Sequence, residues 1–274
     1  MNNYKVRKDF NIEIPKSVKM IITILEKNGY EAFAVGGCIR DTILGRQPQD
    51  WDITTSALPQ QVKALFNKTL DTGIQHGTVT VMMSRVGYEV TTYRIDGEYN
   101  DSRHPDTVEF TSNLIEDLKR RDFTINAMAY NPTVGLVDAF DGIGDIEKKI
   151  IKCVGVAEER FGEDALRILR AVRFSAQLGF DIEDKTLAAA KDLSDTLKNI
   201  SAERIRVSNE SSRESAEEDR VAMEEERLEI YDDLCSRVSN ILDELQNVAE
   251  GKITFSAIYP VGSIYMSVKK SIWE

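Results

Sequence analysis

The stretch GGCIRDTILGRQPQDWDITTSA, residues 36–57, decides the fold prediction for this chain of 274 residues. Its two glycines follow a short apolar strand over residues 31–35 and open a helical segment over residues 38–44. A second strand over residues 49–54 contains two aspartates separated by one tryptophan. This order predicts an α/β region, which continues to about residue 150 before the pattern becomes helical.

Asp50 and Asp52 are the most informative pair of side chains in this stretch. Side chains in a strand alternate between its two faces, so we expect residues two apart to project from the same face. Two carboxylates held together repel each other, and Mg²⁺, which prefers oxygen ligands, would offset that repulsion. The alternative is that both aspartates lie on a solvated edge strand and bind no metal.

The glycine turn predicts a site for a phosphate group. Glycines let a ligand approach the backbone closely, and N–H groups at the start of a helix attract anions. Arg40, just inside that helical segment, would add a charged hydrogen bond to the same phosphate. A glycine pair alone is usually just a tight corner, but its combination with the two aspartates favours a nucleotide site.

Together these residues resemble the signature of the nucleotidyltransferase superfamily as it occurs in class II CCA-adding tRNA nucleotidyltransferases. The resemblance implies an α+β, polymerase-β-like head with a small antiparallel or mixed sheet, followed by an all-α neck. It implies that Asp50 and Asp52 are catalytic carboxylates that bind a metal, and that Glu89 is a third catalytic carboxylate. A structural salt bridge is the alternative for Glu89. The implied nucleotide contacts in this stretch are those of Gly36, Gly37 and Arg40.

Three further segments follow in the order that they have in this family. RRDFTINAMAY, residues 120–130, resembles its second motif, in which Arg121 would bind the nucleotide and Asp122 would help to recognise the ribose. DGEYNDSRHPDTVEFT, residues 96–111, resembles a head-domain loop that helps the site to change from C to A addition. DAFDGIGDI, residues 138–146, resembles the segment that joins the head to the neck.

Local structure outside these motifs is predicted from the pattern of apolar and polar residues. Two alternating segments over residues 77–83 and 88–94 predict a hairpin. Helices are predicted over residues 114–129 and 162–178, and a turn is predicted over residues 142–146.

GEDALRILRAVRF, residues 162–174, resembles the helix that selects the base in this family. A carboxylate accepts a hydrogen bond from the amino group of C or A, while an arginine donates to a ring nitrogen or a carbonyl oxygen. The resemblance therefore implies base selection by Asp164 and Arg167, with phosphate or template-holding contacts from Arg170 and Arg173. The alternative is a solvated arginine face with ion pairs along one helix.

Charge divides the chain into two unlike parts, although the formal net charge of the whole is −11. Residues 1–206 hold 31 acidic and 28 basic residues, whereas residues 207–274 hold 15 acidic and 7 basic residues. The acidic surplus alone would argue against a nucleic-acid partner. Because the surplus is concentrated in the tail, the first 206 residues remain compatible with nucleotide and RNA binding.

A cytoplasmic protein without membrane contact is expected. No run approaches the ~20 apolar residues that span a bilayer, and the first 15 residues lack the apolar core of a secretion signal. The three cysteines are widely spaced, which is typical of reduced thiols. The two histidines are too few for a multi-histidine metal cage.

The tail departs from the family, because the resemblance covers only about residues 15–206. We predict a catalytic head over residues 1–148, a helical neck over residues 149–206 and a divergent tail over residues 207–274. Heptad-like apolar residues over 228–248 predict self-association through a coiled-coil-like helix, and the end of the chain predicts strands. An amphipathic helix packed on its own domain is the alternative. A fusion, a truncation and a divergent terminus all remain open as explanations.

The resemblance implies template-independent transfer of CMP and AMP from CTP and ATP to the 3′ end of tRNA, with Mg²⁺ in a two-metal mechanism. This reaction adds or repairs the CCA terminus. Within the same class, the alternatives are CC-adding, A-adding and poly(A)-adding relatives. From another class, the alternative is a non-catalytic nucleotide- or partner-binding module that assembles through its C-terminal helix. An acidic tail would repel tRNA phosphates rather than bind them.

Overall fold

The computed structural model describes residues 6–97 and 108–199, together with four short strands between residues 253 and 272. The chain separates into two compact units. The first unit contains the described residues up to 148 together with residues 153–155, and the second contains residues 149–152 and the described residues from 156 onward. Within the described ranges, no helix has the length and apolar character needed to cross a membrane.

The first unit is built on one mixed sheet and a separate strand pair. Its described strands are β1 (Val6–Arg7), β2 (Ala32–Val35), β3 (Asp52–Thr55), β4 (Thr69–Gly73), β5 (Thr78–Met83), β6 (Val86–Thr92), β7 (Arg94–Asp96), β8 (Val108–Phe110), β9 (Met128–Asn131) and β10 (Gly135–Asp138). The sheet has the order β1-β10-β9-β2-β3-β6-β5-β4, and β7 pairs with β8. Only β3 and β6 are parallel among these described sheet neighbours. The start of β3 and the start of β6 therefore lie towards the same edge of the sheet.

The helices of the first unit cover this sheet. They are α1 (Lys16–Lys27), α2 (Gly37–Ile43), α3 (Pro59–Leu65), α4 (Leu114–Lys119) and α5 (Gly142–Glu147), with 3-10 turns at Ile74–His76 and Thr124–Asn126. In α1, four apolar residues recur at helical spacing and all are buried, namely Val18, Ile21, Ile22 and Leu25. The helix ends at Lys27 and is followed by Asn28, which caps it, and by Gly29, whose φ of +86° suits a glycine.

The core next to the glycine turn joins β2 to α4. Phe33 and Val35 of β2 pack with Leu114 and Leu118 of α4 and with Tyr93, and all five are at most 2 % exposed. All four residues of β2 are buried, so both faces of the sheet are covered at this strand. The turn that follows β2 is therefore held by a strand that is packed on both sides.

The second unit is mainly helical in its described part. Its elements are β11 (Ile150–Ile151), α6 (Ala157–Glu163), α7 (Leu166–Leu178), β12 (Asp181–Ile182), α8 (Asp184–Asp192) and a 3-10 helix at Ser194–Asn199. The strands β11 and β12 form a short parallel pair. Helix α7 ends at Leu178, and Gly179, which follows it, has a left-handed φ of +68° that suits a glycine.

Three predictions of local structure are wrong. The predicted helix over residues 114–129 ends at Lys119, and Met128 and Ala129 belong to β9, because the short apolar run over residues 127–130 fits a buried strand as well as a helix. The predicted turn over residues 142–146 is helix α5. Its first N–H groups, those of Gly142 and Ile143, donate to the carboxylate of Asp138 at 2.7 and 3.0 Å, which caps the helix from outside.

The third wrong prediction concerns the helix over residues 162–178. That segment is interrupted, since α6 ends at Glu163 and α7 begins at Leu166. Asp164 has extended backbone angles and accepts a hydrogen bond from the backbone N–H of Leu166 at 2.9 Å. An aspartate that caps a new helix therefore breaks the apparent repeat of charged residues.

The end of the chain contains the strands that its composition predicts. β13 (Ile253–Thr254) pairs with β16 (Ser271–Ile272), and β14 (Ile258–Val261) pairs with β15 (Ile264–Met266). The heptad-like segment over residues 228–248 lies outside the described residues, as does most of the predicted head-domain loop. The predicted division into a head over residues 1–148, a neck over residues 149–206 and a tail over residues 207–274 stays a prediction.

Candidate active site

The two aspartates lie where β3 begins. Asp52 is the first residue of the strand and pairs with Val35, the last residue of β2. Asp50 precedes the strand, so the predicted strand over residues 49–54 begins at Asp52 rather than at residue 49. The pairing cannot extend further because the chain turns away from the sheet at Gly36, directly after β2. The start of β3 therefore brings the carboxylates to the glycine turn.

Glu89 lies beside Asp52 on the neighbouring strand. Ile53 of β3 is in register with Val90 of β6, so the preceding residues of these parallel strands, Asp52 and Glu89, lie side by side. Glu89 is exposed, and its charge acts on Asp52. The strand pairing thus places Glu89 next to Asp52, while its catalytic role stays a prediction.

Electrostatics single out Asp52 within this group. Burial raises its pKa above the ordinary value, the positive charge of Arg121 lowers it, and the negative charges of Glu89 and Asp50 raise it again. Its side chain keeps contact with solvent despite the surrounding protein. Burial and the charge of Asp52 also raise the pKa of the Cys38 thiol to about 12, so this neighbour stays protonated. A divalent cation at the site would favour the ionised form of Asp52.

The carboxylate oxygens of Asp50 and Asp52 could form part of the ligand shell of Mg²⁺. Among the residues that the structure describes, no group of three or more His, Cys, Asp and Glu side chains could hold a metal ion. Asp50 and Asp52 supply carboxylate oxygens next to a solvent-accessible space, and Mg²⁺ usually keeps several waters or substrate phosphates in its coordination shell. The residues present fit an ion that a nucleotide helps to hold.

The glycine turn leaves room for two guanidinium groups. Gly36 has a φ of +88°, and a Cβ atom placed there would lie 3.3 Å from Nη1 of Arg121. A Cβ atom on Gly37 would lie 3.6 Å from Nη2 of Arg40. The two glycines therefore let both predicted nucleotide-binding arginines approach the backbone at the end of β2.

Arg40 is part of a buried polar chain. Its Nε donates to Asp41 at 2.8 Å and its Nη1 donates to Asn126 at 2.7 Å. The side-chain amide of Asn126 in turn donates to Asp122 at 3.1 Å. This chain connects α2 with the RRD motif, so the two predicted nucleotide-binding segments are physically joined through Asn126, and the sequence analysis missed both Asn126 and Asp41. The signal for Asn126 was its place four residues after Asp122 in the same motif.

The guanidinium of Arg121 is hydrogen-bonded to a buried aspartate, Asp117. Its Nη2 donates to Asp117 at 3.3 Å. Its Nε is buried and has no hydrogen-bond partner among the described residues. An unsatisfied buried donor is costly unless a ligand completes its hydrogen bonds, so Arg121 is well suited to bind an anion. Sequence reasoning also missed Asp117, although its spacing of three and four residues before Arg120 and Arg121 is a helical ion-pair spacing.

The residues predicted to select the base lie in the second unit. Asp164 lies between α6 and α7, while Arg167, Arg170 and Arg173 lie on α7, so the four side chains do not share one helix. Arg167 is 8 % exposed, and its Nη1 donates to the carboxylate of Glu163 at 2.7 Å and to the carbonyl of Arg160 at 3.2 Å.

Arg170 and Arg173 stack on one aromatic ring. Their guanidinium carbons lie 5.2 and 5.3 Å from the ring centroid of Phe174. Such cation–π contacts fix the two arginines on the surface of α7. Their expected contacts with phosphate or template residues stay a prediction.

The fold and the carboxylate site together define a nucleotidyltransferase head. Residues 32–152 match the family model described as "Poly A polymerase head domain", and residues 179–207 match the model described as "Probable RNA and SrmB- binding site of polymerase A". Over these regions the chain belongs to the poly A polymerase head-domain family. Its relatives in this family are CCA-adding enzymes. The family resemblance expected from the sequence is thereby confirmed.

Individual relatives agree with this family. The CCA-adding enzyme of Lactobacillus delbrueckii subsp. bulgaricus is 52 % identical over 206 residues, which are 75 % of this chain and 51 % of the relative. That of Leuconostoc mesenteroides is 55 % identical over 186 residues, which are 68 % of this chain and 46 % of the relative. This chain spans about half the length of the curated relatives it matches.

A solved structure is similar as well. The CCA-adding enzyme of Bacillus stearothermophilus, in complex with CTP, is 45 % identical and superimposes with a TM-score of 0.66. The match covers 71 % of this chain and 47 % of that protein. The prediction of an α+β nucleotidyltransferase head is confirmed.

Proposed function

We propose that the chain transfers CMP and AMP from CTP and ATP to the 3′ end of tRNA, and so adds or repairs the CCA terminus. The observation that carries the proposal is the meeting of opposite charges at the start of β3. There, the negative charges of Asp50 and Glu89 act on Asp52, and Arg121 lies both near Asp52 and against the Gly36 turn. The CCA-adding relatives support the choice of substrates.

Asp50 and Asp52 would hold Mg²⁺, with Glu89 as a third carboxylate on the adjacent strand. When bound, Mg²⁺ lowers the pKa of the attacking 3′-hydroxyl and neutralises the departing pyrophosphate. Asp52 and Glu89 would orient the reactants because they belong to strands β3 and β6, whose backbones are fixed by the sheet. The carboxylates would thus keep negative charge at a fixed place beside the α-phosphorus of the nucleotide.

Arg121 and Arg40 would bind the triphosphate from the other side. Arg121 offers a buried Nε–H that lacks a partner among the described residues, and a phosphate oxygen would satisfy it. Arg40, which is tied to Asp41 and Asn126, would act mainly through its charge at the Gly37 backbone. Asp122, joined to Asn126, would help to recognise the ribose.

Base selection would come from the second unit. Asp164 would accept a hydrogen bond from the amino group of C or A, and Arg167 would donate to the ring of the same base. The carboxylate of Glu163 holds the Arg167 guanidinium and so fixes its direction. A site built on such hydrogen bonds rejects U and G because their edges would leave buried polar groups unpaired.

Three finer points are part of the proposal. We place the protein in the cytoplasm, where tRNA is matured and where its cysteines would stay reduced. Self-association through residues 228–248 follows from their heptad-like spacing, and sedimentation of the full chain at several concentrations tests it. No membrane partner is proposed.

The test is extension of tRNA that lacks its CCA end, with labelled CTP and ATP, Mg²⁺ and the full chain. Extension by three nucleotides supports the proposal. Extension by C alone, by A alone or by a long A tract would replace it with one of the related activities. Nucleotide binding without extension would instead favour a non-catalytic module, and the Asp52→Asn variant supplies the inactive control.

A further inference from the structure

Asp117 in α4 is a fully buried carboxylate that the proposed chemistry does not use. Its exposed fraction is 0 %. A carboxylate is rarely buried to this degree unless partners match its charge. Because it is neither a predicted metal ligand nor a predicted nucleotide contact, its partners decide what it does.

One oxygen of Asp117 points towards the candidate site. Oδ2 accepts hydrogen bonds from Nη2 of Arg121 at 3.3 Å and from the hydroxyl of Thr54 at 3.0 Å. Thr54 belongs to β3, the strand that begins with Asp52. Through this oxygen the carboxylate fixes Arg121 relative to the strand that carries the catalytic aspartate.

The other oxygen of Asp117 points towards the strand pair β7 and β8. Oδ1 accepts from Nε and Nη2 of Arg120 at 2.9 and 2.7 Å, and from the backbone N–H of Arg94 at 3.4 Å. Asp96 completes the network, since it pairs with Nε of Arg94 at 3.0 Å and with Nη1 of Arg120 at 3.7 Å. The side chains of Arg120 and Arg121 and the backbone of β7 therefore all bind the buried carboxylate of Asp117.

The ionisation of Asp117 agrees with this arrangement. Burial raises its pKa, but the charges of Arg120 and Arg121 and the hydrogen bonds from Arg120 and Thr54 outweigh burial, so its pKa lies below the ordinary value. Asp117 is therefore charged at neutral pH. An arginine side chain has many rotamers, and a charged anchor on one Nη atom restricts them.

We propose that Asp117 is a positioning residue that fixes the Arg121 guanidinium at the Gly36 turn, where the guanidinium would bind a triphosphate. The anchor at Nη2 leaves the opposite edge of the guanidinium to approach Gly36, where a Cβ atom would lie 3.3 Å from Nη1. The proposal rests on the function proposed above, because Asp117 would affect the nucleotide only through Arg121. A purely structural ion pair would stabilise α4 without affecting the nucleotide.

A double-mutant cycle on the full chain separates these two roles. Asp117→Asn keeps the shape of the side chain and removes its charge, and Arg121→Gln removes the guanidinium. We expect Asp117→Asn to weaken CTP binding in the presence of Mg²⁺ by about tenfold or more, since a charged hydrogen bond is lost from an oriented donor. In the Arg121→Gln background the same change should weaken binding less than about twofold.

The matched control is Asp71→Asn. Asp71 is a half-exposed aspartate of the same unit, paired with Lys63 at 2.8 Å on the surface. Its variant should bind CTP like the original chain. Equal losses from Asp117→Asn in both backgrounds, or no loss in a folded Asp117→Asn variant, would overturn the proposal.

Thr54→Val provides a milder change if Asp117→Asn does not fold. It removes one hydrogen bond from an uncharged donor to Oδ2 and leaves the charges of Asp117 and Arg121 in place. We expect a loss of CTP affinity of about threefold that disappears in the Arg121→Gln background. An equal loss in both backgrounds contradicts the proposal.

A measurement without nucleotide keeps the inference separate from the proposed function. The Nε–Hε resonance of Arg121, assigned by its absence in Arg121→Gln, reports how rigidly the guanidinium is held. We expect it to shift and to become more mobile in Asp117→Asn and Thr54→Val but not in Asp71→Asn. An unchanged resonance refutes the positioning role. If the original chain binds no CTP while the resonance behaves as expected, the proposed function fails and the inference about Asp117 stands.

Discussion

The two units handle their arginines in different ways. In the first unit, Arg121 is brought by the fold to Gly36, a residue 85 positions earlier in the chain, and its Nε has no partner among the described residues. In the second unit, Arg167 is held by Glu163 and by the carbonyl of Arg160, both within seven positions. Both arginines pair with a carboxylate four positions earlier, but Arg121 also lies against a distant glycine turn and keeps a buried Nε that has no hydrogen-bond partner among the described residues. This difference agrees with the proposal that the triphosphate binds in the first unit.

The strongest way to break this comparison is to remove the carboxylates of the first unit. We expect Asp50→Ala or Asp52→Ala to lower the rate of nucleotide incorporation at least about a thousandfold, because charge stabilisation at the reacting phosphate is lost. Single-turnover extension of tRNA measures the rate, and circular dichroism checks that the fold is intact. Asp71→Ala, at the surface, should behave as the original chain. Near-normal activity in either variant would falsify the assignment.

Gly36→Ala tests whether the turn matters because of Arg121. The new Cβ would lie 3.3 Å from Nη1 of Arg121 at a φ of +88°. We expect CTP to bind about tenfold more weakly and the protein to lose about 1 kcal/mol of stability, the usual cost of alanine at positive φ. Calorimetric titration with CTP and thermal unfolding measure the two effects.

Gly29→Ala is the matched control for that variant. Gly29 has a nearly equal φ of +86°, and a Cβ there would meet nothing within 4 Å. It should lose a similar amount of stability and keep its affinity for CTP. If both variants lose affinity equally, backbone strain rather than the arginine contact is responsible.

Arg167→Ala tests whether the paired arginine of the second unit selects the base. If its local pairing with Glu163 serves base selection, discrimination against UTP and GTP should fall by about ten- to a hundredfold, while Mg²⁺ dependence stays the same. Competition between labelled CTP and UTP during extension provides the measurement. Unchanged discrimination would mean that the ion pair serves only the helix junction. Lys152→Ala, a surface change in the same unit, is expected to leave discrimination unaffected.

The smallest effect is expected from the raised pKa of Asp52. A carboxyl group whose folded-state pKa exceeds its unfolded value opposes folding once it is ionised, so this penalty is present at neutral pH and disappears as pH falls through the folded pKa. Asp52→Asn should therefore stabilise the metal-free protein at pH 7 by about 0.5 kcal/mol, a small amount because the side chain is solvent-accessible. Urea unfolding at pH 7 and at pH 4 measures it. A destabilised variant at pH 7, or equal gains at both pH values, would contradict this account.

The sequence was sufficient for features that depend on neighbours along the chain. The strand before Gly36, the helix after it and the apolar face of α1 follow from local pattern, and the order of motifs identified the family. Even so, the start of β3 was misplaced, since β3 can begin only where its partner β2 is still present. Local pattern alone does not contain that information.

Contacts between distant segments could not be predicted in the same way. Asn126 bonds Arg40 across 86 positions of the chain, and Asp117 bonds Thr54 across 63. Nothing in the local pattern of either segment specifies such a partner. The break at Asp164 was hidden for a different reason, because charged residues at every third position look the same whether one helix carries them or a capping aspartate starts a second.

The parallel pairing of β3 with β6 also has a consequence for folding. Asp52 and Glu89 become neighbours only after the chain has crossed over α3, β4 and β5, so a partly folded head contains both carboxylates but no site. A nucleotide would then bind only to molecules whose sheet is complete, and it would stabilise them by mass action. The protein should be protected from thermal unfolding and from proteolysis by its own substrate, and the degree of protection would report how many molecules have finished folding.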